Sequence, residues 1–234
     1  MRITNWSFKK VKEKFVVCGL VYQSPRFPDG CYIHTSYITE IKCRLSDNEL
    51  DIFTFSGSHY ILKFEGMLTN SLSTLDEVIS HFGLSKEIYD SYVSCAKVKD
   101  EQELATARKE LIFENSLYIK TVGFIPVKAF YRGDDDDIQE VPVDLESSGI
   151  GRFTYLSIEG VFEFGFLHTH NGWKLSSWKG ALANLHIYNE GYDLQIEGAE
   201  TPISIKQGQS AWIGADWVRE LRALCGTDDE ICYK

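Results

Sequence analysis

The chain has 234 residues, of which 44% are hydrophobic and 25% are charged, and its formal net charge is −10. This composition is typical of a globular protein, and the acidic balance excludes a general binder of the nucleic-acid backbone, because such binders carry a basic face. The 12 Tyr, 14 Phe and 5 Trp residues favour β-strands.

The cysteine pattern and the N-terminal sequence bear on location. Six cysteines occur without a CxxC pair, so zinc-ribbon spacing is absent: Cys18, Cys31, Cys43, Cys95, Cys225 and Cys232. The start, MRITNWSFKKVKEKF, lacks the apolar stretch of a secretion signal, and no apolar run approaches the roughly 20 residues of a transmembrane helix. We therefore expect a cytoplasmic protein with free thiols and no membrane contact.

Residues 1–70 are predicted to form a small antiparallel β module, either a curled sheet or a partial barrel. Aromatic and β-branched runs separated by turn residues indicate four strands, at residues 14–23, 32–44, 50–55 and 59–64. The turns between them contain the segments SPRFPDG, SDN and SGS.

Residues 71–113 are predicted to be a helical connector of three helices. Ser73 or Thr74 can cap the first helix, and Gly83 can end it. A second helix follows Ser85, and Asp100 is expected to open a third.

Residues 114–234 are predicted to form a larger antiparallel β module that ends in a terminal helix with the sequence WVRELRALC. The turn segments NEG (residues 189–191) and IEG (residues 196–198) separate its strand-like runs. The predicted fold class is therefore α+β, with a helical middle between two antiparallel β modules.

The segment SPRFPDGCYIHTS, residues 24–36, is the most specific stretch of the sequence. Pro25 and Pro28 restrict the backbone, so the loop can present Arg26 with little loss of entropy. A guanidinium fits a carboxylate or phosphate bidentately, which predicts an anion site. The alternative is that Arg26 pairs with Asp29 and only stabilises the turn.

A resemblance to known proteins lies in this same region. The sequence VYQSPRFPDGCYIHTS, followed by TFSGSHYIL, resembles the pattern PRFxDGxxIxTS…SGSxY of short uncharacterised bacterial and phage proteins. It covers only the N-terminal part of the chain, roughly its first 65 residues. The resemblance implies a shared small β-fold and a phage-related setting, and it assigns no activity.

The segment SGSH, which contains Ser56, Ser58 and His59, is a second candidate for anion contact through hydroxyls and backbone amides. A nucleophilic serine would require His34 or His59 as its base, and no GxSxG motif supports that role. The alternative is a hairpin turn in which the serines bond locally.

His168 and His170 are the best candidates for metal ligands. A strand places residues two apart on one face, so both imidazoles could bind one ion. His186 and one of the acidic residues Glu163, Glu190 and Asp193 could complete the site. The alternative is that these histidines are exposed at a strand end.

Trp173 and Trp178 flank Lys174 and could form a stacking surface for a base or sugar, with the lysine beside an anionic group. Core packing is the alternative for both rings, because large aromatic side chains are usually buried.

The favoured function is non-catalytic binding of a small anionic ligand, nucleotides included, or of a protein partner, in a phage or phage-defence setting. No cofactor is expected. The predicted ligand-binding residues are Arg26, His34, Ser56, Ser58, His59, Trp173, Lys174 and Trp178. The alternatives are a metal-assisted hydrolase centred on His168 and His170, and an assembly protein that forms homo-oligomers through β edges.

Overall fold

The chain forms two compact units, Met1–Glu103 and Leu104–Lys234. The computed structural model describes residues 1–68, 72–148, 151–169, 172–180, 182–197, 202–214 and 216. Strands make up 54% of these residues and helices 21%, so the predicted β-rich character is confirmed. The predicted α+β fold class is wrong, because the described chain is mostly β, with three mixed sheets and a minor helical part.

Six strands of the first unit form one sheet, in the order β3-β2-β1-β6-β5-β4. They are β1 (Arg2–Val11), β2 (Lys14–Tyr22), β3 (Cys31–His34), β4 (Ile38–Arg44), β5 (Glu49–Thr54) and β6 (His59–Lys63). Neighbouring strands are antiparallel except β1 and β6, which are parallel. The prediction of a purely antiparallel module is therefore wrong, because β1 brings residues before the first predicted strand into the sheet centre.

This sheet must curl, because its two edge strands follow each other in the sequence. Residues 35–37 alone join β3 to β4. A flat sheet of six strands would place its edges roughly 24 Å apart, whereas this link spans at most about 14 Å. Hydrogen bonds from Thr35 N to the Val17 carbonyl (2.9 Å) and from Phe55 N to the Tyr37 carbonyl (2.8 Å) hold the link.

A bulge in β1 shapes the core of this unit. The register shifts after Thr4, opposite Gly19 of β2. Trp6 is fully buried at the bulge, and its indole Nε1 donates to the Lys63 carbonyl at 2.8 Å. A Cβ at Gly19 would lie 2.6 Å from Ile3 Cγ2 and 2.8 Å from the Thr4 carbonyl oxygen, so only glycine fits between the two strands.

The described residues contain two α-helices, α1 (Leu72–Phe82) and α2 (Lys86–Glu110). Helix α1 ends at the predicted position, where Gly83 has a φ of 63° and Leu84 N donates to the Ile79 carbonyl. The prediction of separate second and third helices is wrong. The segment contains neither proline nor glycine, so nothing interrupts the helix at Asp100.

Buried residues of both helices pack against the first sheet, and they are Leu75, Val78, Ile79, Ile88, Tyr92 and Ala96. The predicted helical connector covers residues 71–113. Its residues up to Glu103 belong to the first compact unit, and the rest belong to the second. In the described part of the chain, no helix is both long enough and apolar enough to cross a bilayer. The predicted terminal helix, from residue 217, lies outside the described residues.

The second unit contains two sheets, in the orders β10-β11-β12-β13-β15-β16 and β17-β14-β7-β8-β9. Its strands are β7 (Ser116–Val122), β8 (Ile125–Arg132), β9 (Ile138–Val141), β10 (Val143–Ser148), β11 (Gly151–Ile158), β12 (Phe162–Thr169), β13 (Gly172–Gly180), β14 (Asn184–Glu190), β15 (Leu194–Ile196), β16 (Ile203–Ile205) and β17 (Gln209–Gly214). Strand β14 is parallel to β7, and β15 is parallel to β13. Residues 123–183 connect β7 to β14, and residues 181–193 connect β13 to β15. Parallel pairing requires a crossover of about a dozen residues or more, which both connections supply, so the antiparallel prediction is wrong here too.

The two sheets of this unit form a sandwich around one apolar core. One sheet contributes Phe162, Phe164 and Phe166 of β12, and the other contributes residues such as Leu117 and Ile119 of β7. Side chains two apart along a strand share a face, so the phenylalanines form a single row that points into the core. The same alternation directs the side chain of His168, two residues beyond Phe166, toward the inner face of the sheet.

We expect substitution of Gly19 by alanine to destabilise the protein by about 2 kcal/mol or more, because the new methyl group would overlap backbone and side-chain atoms of β1. Urea unfolding measures the change. The matched control is Gly66→Ala, where the closest atoms lie 3.4 Å away, on Trp6, and an effect below about 1 kcal/mol is expected. Equal losses in the two variants would contradict this account of the bulge.

Candidate functional site

A cavity of about 620 Å³ opens in the second unit. It is surrounded by the turn between β7 and β8, the start of β11, the end of β12, the start of β13, and the segment that leads from β14 into β15. Its main lining residues are Phe124, Arg152, His168, Gly172, Tyr192 and Leu194. We call this cavity the His168 pocket.

His168 lies where the apolar row of β12 reaches the pocket. It follows Phe166 by two residues, so its side chain points inward and only 9% of the residue is exposed. Its ring centroid lies 5.2 Å from that of Trp173, the residue that faces it on the neighbouring strand β13, and 6.2 Å from that of Phe124. The histidine is therefore held among aromatic rings at the inner end of the pocket.

His168 is buried with only part of its hydrogen-bonding capacity used. Its Nε2 lies 2.5 Å from Oγ1 of Thr154, a fully buried residue of β11. Its Nδ1 has no hydrogen-bond partner among the described residues. Burial lowers the pKa of His168 to about 4, and the charge of Arg152 adds to this effect while the Phe124 carbonyl opposes it. The imidazole is therefore neutral at physiological pH.

Arg152 supplies a positive charge to the pocket. It pairs with His168 in the register of β11 and β12, and it lies on the same face of β11 as Thr154. The residue is exposed and makes no ion pair or side-chain hydrogen bond with the described residues. Asp193, also exposed, lines the pocket as well. The arginine therefore retains its full capacity to bind an anion.

Phe124 and Tyr192 form an aromatic wall, with ring centroids 5.7 Å apart at 65°. The indole Nε1 of Trp173 donates to the Phe124 carbonyl at 2.9 Å and so fixes the turn that carries this ring. Fully buried Asn189 fixes the other side, because its amide donates to the carbonyls of Tyr192 and Ile205. Both sides of the wall are therefore held by hydrogen bonds to buried side chains.

The predicted loop at residues 24–36 is closed by its own hydrogen bonds. Asp29 Oδ1 accepts from Gln23 N at 2.7 Å, so the aspartate does not pair with Arg26. Arg26 is exposed and makes no ion pair in the described part of the chain. His34 is exposed too, with Nδ1 3.5 Å from Cys18 Sγ. The structure therefore leaves Arg26 facing solvent.

The hydroxyls predicted at the SGSH segment bond to each other. Ser36 Oγ donates to Ser56 Oγ at 2.8 Å, and Ser56 Oγ lies 3.3 Å from Ser58 Oγ. His59 Nε2 lies 2.7 Å from Asp51 Oδ1. These contacts are those of a locally bonded hairpin turn.

The candidate metal ligands do not converge in the described chain. His168 lies in β12, and His186 lies in β14 of the other sheet, fully buried and 3.5 Å from Glu110 Oε2. His170 lies outside the described residues. Among the residues that are described, no group of three or more His, Cys, Asp or Glu side chains could hold a metal ion. The metal site stays a prediction.

The residues predicted to form a stacking surface, Trp173, Lys174 and Trp178, do not share one environment. Trp173 is fully buried and serves as packing behind His168, so its ring is not exposed to a ligand. Lys174 is exposed, with Nζ 3.8 Å from Glu197 Oε2. The side chain of Trp178 lies outside the described part of the structure.

Sequence reasoning missed most of the pocket. None of Phe124, Arg152, Thr154 and Tyr192 lies in a recognisable sequence motif. One signal was present, because the alternating phenylalanines before His168 indicate that this histidine faces the core.

Comparisons with protein-family models, with curated proteins and with solved structures give no match to this chain. The resemblance of the N-terminal segment to phage proteins therefore stays a prediction. Any inference about function depends on the pocket and on the surfaces described above.

We expect the two buried histidines to make the protein less stable as the pH falls. The pKa values of His168 and His186 are lowered to about 4 in the folded state, from 6.5. The unfolded chain thus binds more protons between these values, so acidification favours unfolding. Between about pH 7.5 and about pH 5, each histidine should remove about 2 kcal/mol of unfolding free energy.

Urea unfolding at the two pH values measures this loss, and His168→Asn should reduce it by about 2 kcal/mol. His81→Asn, which alters an exposed histidine, is the matched control and should leave the loss unchanged. An unfolding free energy of the wild-type protein that does not change over this range would contradict the lowered pKa values.

Proposed function

We propose that this protein is a non-catalytic binding protein for a small anionic ligand, which it holds in the His168 pocket. The observation that carries the proposal is the guanidinium of Arg152, which lines the pocket without an ion pair among the described residues. A guanidinium binds carboxylate and phosphate groups through two parallel hydrogen bonds. An arginine beside a pocket of this size favours an anion as ligand.

The size and the lining of the pocket favour a ligand that also carries a planar ring. Ligand pockets usually measure about 300–1,000 Å³ and combine apolar walls with a few polar groups. The His168 pocket, at about 620 Å³, lies in this range. Phe124, Tyr192 and Leu194 supply apolar surface, and Arg152 supplies charge. A nucleotide is one anionic ligand with both features.

The protonation state of His168 supports a binding role over a catalytic one. General bases work best when their pKa lies near the pH at which they operate. The pKa of His168 is lowered to about 4 by burial, so it accepts a proton poorly at neutral pH. The side chain is better suited to shaping the inner wall of the pocket, because its Nε2 lies 2.5 Å from Thr154 Oγ1 and its Nδ1 is buried.

A cytoplasmic location and a phage-related setting remain part of the proposal. The free thiols of Cys18, Cys31, Cys43 and Cys95 suit a reducing compartment. The phage setting rests on the resemblance of the N-terminal segment alone. Exposed Arg26 makes the loop at residues 24–36 the second candidate for contact with an anion or a protein partner.

We expect at least one of inorganic phosphate, AMP, GMP, CMP and UMP to bind, and Arg152→Ala to weaken that binding at least tenfold. The loss of a hydrogen bond to a charged group accounts for a change of this size. Isothermal titration calorimetry measures the affinities. The matched control is Arg26→Ala, which removes an exposed arginine from the other unit and should change nothing.

Two results would contradict the proposal. Weaker binding in Arg26→Ala together with unchanged binding in Arg152→Ala would move the site to the N-terminal loop. No binding of any probe at millimolar concentration would remove this ligand class.

A further inference from the structure

Arg152 and Asp193 give the His168 pocket two opposite charges at separate places. Both residues line the pocket, and both are exposed. Neither makes an ion pair or a side-chain hydrogen bond with the described residues, so the two charges do not pair with each other. A ligand that carries only negative charge is attracted by the arginine and repelled by the aspartate. The pocket therefore favours a ligand that offers hydrogen-bond donors as well as an anionic group.

The register of the sheet separates Asp193 from Arg152. The neighbouring strands β11, β12, β13 and β15 place four residues opposite one another, which are Arg152, His168, Trp173 and Ile196. Three strand spacings of about 4.8 Å lie between β11 and β15, so their backbones are about 14 Å apart. Asp193 immediately precedes β15. This separation does not fit an α-amino acid, whose two charged groups are attached to one carbon, and it favours a ligand whose anionic group and donors lie several bonds apart.

The backbone of Asp193 is held from both sides. The amide of Asn189 donates to the carbonyl of Tyr192, which belongs to the peptide bond that precedes Asp193. Leu194, on the other side, is buried in the core and pairs with Ile205 of β16. Its neighbours therefore fix the position of Asp193 at the pocket, although the residue itself is exposed.

The aromatic wall is adjacent to Asp193 in the chain. Tyr192 directly precedes Asp193, and its ring packs against Gly123, where a Cβ would lie only 2.9 Å from Cε1 of the ring. Phe124 and Tyr192 are both partly exposed, so part of each ring is open to a ligand. Stacking on aromatic rings tolerates any base, because every base has a planar face. The wall thus binds a base without selecting one.

An ionised carboxylate distinguishes the bases by their hydrogen-bond donors. It only accepts hydrogen bonds, and its two oxygens accept two parallel N–H groups. Guanine carries two adjacent donors, N1–H and the amino group at C2. Adenine and cytosine carry one amino group beside an unprotonated ring nitrogen, which a carboxylate repels, and uracil has one N–H between two carbonyls. Guanine is therefore the base that satisfies both oxygens.

We propose that Asp193 is a specificity-determining residue that accepts two hydrogen bonds from a guanine base, so that the ligand of the His168 pocket is a guanine nucleotide. This inference rests on the proposed function, in which Arg152 binds the anionic group. The base stacks against Phe124 and Tyr192, and the ribose supplies the distance between the base and the phosphate. The selection of guanine goes beyond the binding of an anion.

Isothermal titration calorimetry with GMP, IMP, AMP, CMP and UMP tests the selection of the base. We expect GMP to bind at least tenfold more tightly than each of the others, because a hydrogen bond to a charged group accounts for a change of this size. IMP differs from GMP only by the missing amino group at C2, so it isolates one of the two hydrogen bonds. Equal affinities for GMP and IMP would overturn the inference.

The variant Asp193→Asn tests the carboxylate, because it keeps the size of the side chain but replaces one acceptor oxygen by a donor. We expect it to weaken GMP binding at least tenfold and to remove most of the preference for GMP over UMP. The matched control is Asp135→Asn, which makes the same change of charge in the exposed loop between β8 and β9 and should alter no affinity. An unchanged GMP affinity in Asp193→Asn would overturn the role of Asp193. An equal loss for all nucleotides would overturn it too, because the carboxylate would then contact the ribose.

The two proposals can fail separately. If phosphate or several nucleotides bind without a preference for GMP, the proposed function stands and the selection of guanine fails. Guanosine has no phosphate and therefore tests the base contact alone. If guanosine binds and loses affinity in Asp193→Asn, while Arg152→Ala leaves GMP binding unchanged, the anion contact fails and the base contact stands. If no probe binds at millimolar concentration, both proposals fail.

Discussion

The hydrogen bond between Thr154 and His168 is the interaction on which the pocket depends. It lies where the apolar core of the sandwich gives way to polar side chains, beyond Phe166 on β12. A buried polar group is costly without a partner, and each of these two side chains supplies one to the other. The bond also joins adjacent strands through their inward faces, so the position of the imidazole follows from strand register and not from a loop.

The remaining parts of the pocket are held in the same manner, by buried polar groups that have partners. Trp173 bonds to the turn that carries Phe124, and Asn189 bonds to the segment that carries Tyr192. Gly172 allows the close approach of β13 to β15, because a Cβ there would lie 1.4 Å from the Gln195 carbonyl oxygen. Such a pocket is formed before any ligand arrives, which reduces the entropy that binding costs.

The sequence predicted the local features better than those that depend on distant contacts. The β-rich character and the end of α1 at Gly83 follow from residue types and short spacing. His168 was identified as a candidate metal ligand, with an exposed position at a strand end as the alternative, although the phenylalanines before it indicate the buried face of a strand. Thr154 and Arg152 could not be found, because their proximity to His168 depends on the register between β11 and β12. The mixed sheets were missed for the same reason, since parallel partners lie far apart in the chain.

The contrast between the predicted loop and the observed pocket shows which polar groups can serve a ligand. In the first unit, Asp29 bonds the loop backbone and Ser36 and Ser56 bond each other, so a ligand would compete with existing hydrogen bonds. In the second unit, the side chain of Arg152 makes no such bond with the described residues, and the same holds for the side chain of Arg26 in the loop. The two arginines differ in their surroundings, because Arg152 lines a cavity of about 620 Å³ together with Phe124, Tyr192 and Leu194. A cavity that combines apolar walls with a few polar groups is the usual form of a ligand site. The cavity therefore favours the His168 pocket over the loop as the binding site.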